Sequence, residues 1–300
     1  MLKILCCLVL LCGGAFAEDL PLLGLAHVGF RVTDLEKARA FYHGVLGYDE
    51  AFDLNGPKGN VTLAYFKVND TQFIEIFPGD VPENKVMMTH IAMYTGDLEK
   101  LHKMIEERGL NPTKINTGRD GNHNFGIHNL PGQSLGFLEF VQYLPGSKHS
   151  EAVGKFLNER RISTHLEHAG IVITDFEAAR HFYVDQLGFQ VMWDYKKDGK
   201  TTSLLHLRMP GPSGDYVEIP NPRGPLTGKW IGVTAHISLT VPDVEAANKE
   251  VAARGVTGLV PPMFGPDNRW QLNLYDPDGT RVEYMSPKKS GAGFQPAADF

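Results

Sequence analysis

Four histidines, His27, His90, His168 and His236, each stand seven residues before an aspartate (Asp34, Asp97, Asp175 and Asp243). Each is followed 47 to 50 residues later by a glutamate: Glu75, Glu139, Glu218 and Glu283. This echo divides the chain into four copies of a unit of roughly sixty residues. It also puts the same two metal-capable side chains into every copy. The copies span 23–79, 85–143, 164–220 and 232–287. Between the second and third lies a longer polar stretch, 144–163, opened by Pro145-Gly146-Ser147, which reads as a linker with a helical segment. The copies therefore group in pairs, as two domains over 23–143 and 164–287, with a tail over 288–300.

Each copy predicts βαβββ, an α+β class. The opening strand alternates: Ala26, Val28, Phe30 and Val32 form an apolar face opposite His27 and Arg31. In the fourth copy Ala235, Ile237, Leu239 and Val241 alternate with Thr234, His236, Ser238 and Thr240. The helix that follows starts at Thr33-Asp34 or Thr174-Asp175 and stops near Leu46-Gly47 or Leu187-Gly188. A short acceptor side chain caps free backbone N–H groups and a glycine ends the helix. The repeated aspartates thus have a structural task and no chemical one. The last strand of each copy carries the glutamate between apolar residues, as in Ile74-Glu75-Ile76, so it faces away from the helix.

One His and one Glu cannot hold a metal ion. Two copies related by a pseudo-twofold axis supply two of each: His27, Glu75, His90 and Glu139 in the first domain, and His168, Glu218, His236 and Glu283 in the second. Two imidazoles and two carboxylates suit a divalent Zn, Ni, Co, Mn or Fe ion. With four protein ligands, an octahedral ion keeps two adjacent positions for neighbouring oxygens of one molecule. A single strand histidine is ordinarily just hydrogen-bonded; eight such residues in register are not explained that way.

The ends and the composition add bounds. Met1-Leu2-Lys3, an apolar run over 4–11 and Ala15-Phe16-Ala17 describe a secretory signal peptide over 1–17, so the protein is expected to be secreted or periplasmic. Cys12 also admits a lipoprotein reading, against which Leu11 counts. Cys6, Cys7 and Cys12 all lie in this leader, leaving no cysteine for a disulfide, a thiolate site or a nucleophile. A net charge of −6 gives no electrostatic case for nucleic acid or an anionic membrane. The expected partner is a small-molecule substrate; a homodimer is compatible with the layout.

The stretches 27–35, Phe41-Tyr42 with Leu46-Gly47, His236 with Asp243, and Asp276-Pro277-Asp278-Gly279 with Glu283 resemble the vicinal oxygen chelate superfamily over nearly all of 23–287. That group includes glyoxalase I, extradiol catechol dioxygenases and bleomycin-binding proteins. The resemblance implies two glyoxalase/dioxygenase-type domains with curved, incompletely closed mixed sheets. The complete His/Glu/His/Glu set is most similar to bacterial glyoxalase I. It implies a metal-dependent lyase or isomerase acting on vicinal oxygens through an enediolate-type intermediate, with Glu139 or Glu283 as the base. Arg31 falls where that enzyme contacts its thiol cosubstrate; the second domain has Val172 there, and the family's asparagine is replaced by Gly79 and Pro222. The extradiol alternative would use His168, His236 and Glu283 around Fe(II). There the family's tyrosine is Asn273. A third alternative is non-catalytic sequestration.

Around the sites, His206 aligns with Tyr65 on a middle strand, and both are candidates for substrate contact alongside Arg31. His123 and Arg119 sit in a glycine-rich loop suited to covering a substrate. His43, His102 and His181 fall on helices and His149 on the linker, where surface roles are expected. His165 competes with His168 for the ligand role, and the repeat register favours His168.

Overall fold

The computed structural model describes residues 18–81, 86–222, 224 and 227–286. The leader and the tail expected from the sequence lie outside the described residues.

The first module runs β1 (Leu22–Val32), α1 (Leu35–Arg39), β2 (Glu50–Asn55), β3 (Val61–Lys67) and β4 (Phe73–Pro78). The second runs β5 (Met88–Thr95), α2 (Leu98–Glu107), β6 (Asn116–Thr117), β7 (His123–His128) and β8 (Phe137–Gln142). The linker contains α3 (Lys148–Glu151). The third module is β9 (Leu166–Gly170), α4 (Phe176–Arg180), β10 (Gln190–Tyr195), β11 (Leu204–Arg208) and β12 (Tyr216–Pro220). A short α5 (Lys229–Thr234) then precedes β13 (His236–Thr240), α6 (Val244–Ala253), β14 (Met263–Phe264), β15 (Trp270–Tyr275) and β16 (Arg281–Ser286). The sequence pattern suggests a strand from Thr234. Instead Ala235 N–H closes a helical turn onto Ile231 C=O at 2.9 Å, and the strand starts at His236.

All four repeated aspartates are N-caps. The carboxylates of Asp34, Asp97, Asp175 and Asp243 accept from backbone N–H groups two or three residues on. After α1 and α4 the chain widens into π-helical turns, Ala40–Val45 and His181–Gln186. Leu46 N–H reaches Phe41 C=O at 3.0 Å, an i→i+5 bond. The wider turn lets two successive aromatics, Phe41-Tyr42 or Phe182-Tyr183, both bury.

Each pair of modules forms one eight-stranded mixed sheet, in the orders β2-β3-β4-β1-β5-β8-β7-β6 and β10-β11-β12-β9-β13-β16-β15-β14. The central pairs, β1–β5 and β9–β13, are antiparallel, while β1–β4, β5–β8, β9–β12 and β13–β16 are parallel. Both sheets curl into open half-barrels. Their helix-bearing faces belong to one continuous apolar core, from Val28, Phe30, Ile74 and Ile91 to Val217, Ile237, Leu239 and Val282. Each such side chain, fully buried, contributes roughly 1.5–3 kcal/mol.

Polar ties join the domains at pseudo-equivalent points. Thr33 donates from N–H and hydroxyl to Asp278 at 3.0 and 2.6 Å, and Thr174 N–H donates to Gly132 C=O at 2.8 Å. Gln72 exchanges two 2.8 Å bonds with the backbone of Leu166. The linker helix enters the concave side of the first domain. There Lys67 Nζ bonds the carbonyls of Ala152 and, at 2.9 Å, Lys155.

Candidate metal centres

Pairing in the sheets places the site residues. His27 on β1 lies opposite Ala92 on β5, and Ala92 lies opposite Glu139 on β8. Gly29 lies opposite both His90 and Glu75, and Glu75 lies opposite Tyr65 on β3. Residues directly paired across a sheet share a face, so His27, Tyr65, Glu75, His90 and Glu139 all line the concave side. The His-x-Gly spacing has a steric role: a Cβ at Gly29 would overlap the His90 ring, and one at Gly170 would overlap the His236 ring.

In the first domain the four tips converge. His27 Nε2 and His90 Nε2 are 3.0 Å apart. Glu75 lies 3.3 Å from each imidazole through its two oxygens, and Glu139 Oε2 lies 3.4 Å from His27 Nε2 and 3.3 Å from His90 Nε2. His90 Nδ1 is 2.9 Å from Thr89 Oγ1, and its ring is stacked on Phe137 at 4.6 Å. Burial opposes charge on His27, but Glu75 and Glu139 outweigh it and hold the imidazolium up to about 9. Burial likewise opposes charge on Glu75, and the two imidazoles nevertheless keep its carboxyl below the ordinary range. Glu139 is the most accessible of the four, its side chain 13% exposed against 3–5% for the others.

The second quartet is looser and holds a fifth group. His168 Nε2 and His236 Nε2 are 3.2 Å apart, and Glu283 Oε2 is 3.5 Å from His168. Glu218 leans away, 4.0 and 3.8 Å from the two imidazoles, and its Oε2 is 3.1 Å from His206 Nε2. The guanidinium of Arg281 sits against His236, with Nη2 at 2.8 Å from Nε2. Burial, then Arg281, pushes His236 down to about 3; burial lowers His168 and raises Glu283 to about 7. Burial would raise Glu218 as well, but the hydrogen bond from His206 leads the effects that hold its carboxyl well below the ordinary range.

The remaining candidates separate. Tyr65 is buried beside Glu75. His206 stands at the equivalent place beside Glu218. Arg31 shares the concave face with His27 two strand periods away, and is exposed. His123 does not belong to the site: it pairs with Gln142, whose side chain accepts from Leu98 N–H on the helix side of the sheet. The parity of β7 therefore turns it away from Glu139. Arg119 binds Asn55 C=O and Thr62 Oγ1, tying its loop to β2 and β3. His165 pairs with Asp215 at 3.0 Å and is no rival to His168.

His149 corrects the expectation of a surface residue. It is 1% exposed, boxed by Phe52, Tyr65, Phe73 and Tyr143, with Nδ1 2.7 Å from Asn122 Nδ2 and 3.2 Å from Asp120 Oδ2. It roofs one end of the first cup; Arg31, Phe77, Phe137 and His128 line the other, more open end. Its place off the repeat register hid it from sequence reasoning. Arg281 did leave a signal. The residues two before the four glutamates are Phe73, Phe137, Tyr216 and Arg281.

The first quartet fits a divalent ion. Two imidazole nitrogens and two carboxylates point into one small, buried space, and His27, Glu75 and His90 can place ligand atoms within 4.8 Å of one another. His168, His236 and Glu283 satisfy the same distance test. The second quartet as it stands does not fit, because a permanent cation already touches His236. At an effective dielectric near 20, a unit and a double charge about 4 Å apart repel by several kcal/mol.

Residues 165–284 match the family model described as Glyoxalase/Bleomycin resistance protein/Dioxygenase superfamily, and residues 26–126 match a second model of that description. The chain belongs to this superfamily. It is a two-domain member of the vicinal oxygen chelate type. It is similar in fold to homoprotocatechuate 2,3-dioxygenase from Brevibacterium fuscum in complex with 3,4-dihydroxyphenylacetate, at TM-score 0.65 and 20% identity over 90% of this chain and 82% of that one. A Mn(II)-bound glyoxalase from Novosphingobium aromaticivorans matches at TM-score 0.65 and 18% identity, over 89% and 83%. The uncharacterized protein YwkD of Bacillus subtilis is 27% identical over 95 residues, 30% of this chain and 72% of that protein. Such likeness carries the fold; the reaction must be argued from the site.

Proposed function

We propose that this is an exported, metal-dependent lyase or isomerase of the glyoxalase type, working in the first domain on a small molecule with vicinal oxygens. One observation carries the reading: each of the His27 and His90 tips lies 3.0–3.4 Å from the other imidazole and from both Glu75 and Glu139. A bound divalent ion of the Zn, Ni, Co, Mn or Fe class would be held by these four residues and would supply electrophilic stabilisation of a developing oxyanion. Held by all four side chains, such an ion would have room for a chelating pair of substrate oxygens and no further room for dioxygen. That favours proton transfer over ring cleavage.

Glu139 is the base in this reading. Its carboxylate is the most accessible of the quartet. It would take the proton from the carbinol carbon, acidified by the adjacent carbonyl, and return it to the former carbonyl carbon, while the hydroxyl proton passes to the other oxygen. Glu75, flanked by Tyr65 and more deeply buried, stays in place. Arg31 at the exposed end offers a fixed positive charge to an anionic part of the substrate. The extradiol alternative needs His168, His236 and Glu283 free to bind iron, and Arg281 stands against it.

The test follows hydroxyacetone and related α-hydroxycarbonyls in D2O by NMR, with the mature protein loaded with zinc or nickel. Metal-dependent deuterium entry at the carbinol carbon, reduced about 10²–10⁴-fold in Glu139→Gln, is expected. Oxygen uptake on catechols, or tight binding without turnover, would contradict it and point to a dioxygenase or a sequestering protein.

A further inference from the structure

We propose that Arg281 is an internal cation that keeps metal out of the second quartet, so that the chain holds one divalent ion, in the first domain. The location of that ion rests on the reading above; the exclusion by Arg281 does not.

The two domains differ at the position paired with the second histidine of each quartet. Across β5 and β8, His90 faces Phe137; across β13 and β16, His236 faces Arg281. Phe137 stacks on His90 with an interplanar angle of 7°, and Tyr216 stacks on His168 at 4.4 Å. In the fourth module a guanidinium takes this place. Its Nη2 is 2.8 Å from His236 Nε2 and 3.9 Å from Glu218 Oε1, and its Nη1 is 3.4 Å from Glu283 Oε1.

The surroundings are built to keep it there. His236 Nδ1–H donates to Thr234 C=O at 2.8 Å, which leaves Nε2 as the nitrogen with a free lone pair. That is the atom an ion would need, and Arg281 Nη2, 2.8 Å from it and 2.9 Å from Nδ1, holds a positive charge beside it. Asn273, opposite Glu283, offers Oδ1 to Nη1 at 3.4 Å; the matching residue opposite Glu139 is Gly126. Glu218 is drawn off by His206, where the first domain has Tyr65. A guanidinium does not lose its charge in a protein. The space enclosed by these groups is therefore already neutralised from within.

Zinc per chain, measured by mass spectrometry after saturation and gel filtration, tests this on the full mature protein. One ion is expected in the wild type and in His168→Ala, and none in the His27→Ala/His90→Ala double variant. Arg281→Phe, which installs the first-domain residue, should hold two, and Arg281→Phe/His168→Ala one. Arg281→Leu carries the same expectation should the phenylalanine variant not fold. Two ions in the wild type, one of them lost in His168→Ala, would overturn the proposal. So would a folded Arg281→Phe or Arg281→Leu that gains no ion. No ion in the wild type but one in Arg281→Phe would instead remove the first-domain centre and leave the role of Arg281 supported.

Discussion

The ring of His90 occupies the space that a side chain at Gly29 would fill, with Cε1 and Nδ1 both in the path of an added Cβ. Gly170 and His236 repeat the relationship in the second domain. Gly29→Ala is expected to tilt His90 out of the quartet and weaken zinc binding about 10–100-fold, the cost typical of disturbing a ligand's support. Gly170→Ala should leave zinc affinity unchanged. Isothermal titration of both variants checks this; equal losses would argue that both domains bind the ion.

Gln72 acts as a one-residue bridge between domains, donating to Leu166 C=O and accepting from Leu166 N–H, both at 2.8 Å. Gln72→Ala leaves two buried backbone groups without these partners. The expected cost is about 2–4 kcal/mol, read from urea unfolding. A loss below about 0.5 kcal/mol would mean that this bridge adds little to the apolar core and the other polar ties.

Asp276 lies buried between the domains, beside Tyr42 and Asp278, and burial pushes its carboxyl from 3.8 up to about 6. Between those values the folded protein keeps a proton that the unfolded chain has released. Stability from this group therefore falls as pH rises from about 4 to about 6, by roughly 2 kcal/mol. Asp276→Asn retains the oxygen that accepts from Thr280 and Asp278 N–H. It should gain stability relative to the wild type across this window, and a stability difference independent of pH would contradict it.

Lys67 is fully buried, bonded to Asp70 at 2.6 Å and to the carbonyls of Ala152, which caps α3, and Lys155 beyond it. Lys67→Met removes the donor and strands those carbonyls, at about 2–4 kcal/mol. Amide exchange over 148–155 should accelerate, because this helix carries His149 into the cup. Exchange confined to wild-type rates would show that the aromatic box alone holds the helix.

The four modules and both quartets were legible because the His and Glu positions repeat in register, and alternation assigns each to the face away from the helix. The aspartate caps were legible for the same reason. The loop-like flanks of His123 conceal the parity of β7, which turns it away from the quartet. His149 comes from the linker, where no repeat exists to compare it with, and its burial depends on Asp120 and Asn122 meeting it across the fold. The π-turns follow from adjacent Phe-Tyr pairs, but helical periodicity alone does not distinguish them. Arg281 lies on a strand whose alternation is plain in the sequence, but only the fold brings its guanidinium against His236.

The most direct test is anomalous diffraction from zinc-loaded crystals at the zinc absorption edge. One peak about 2 Å from His27 Nε2, His90 Nε2 and the carboxylates of Glu75 and Glu139 is the expected result. A map with no peak there while the four side chains remain in place, or with its peak only between His168 and His236, would contradict it.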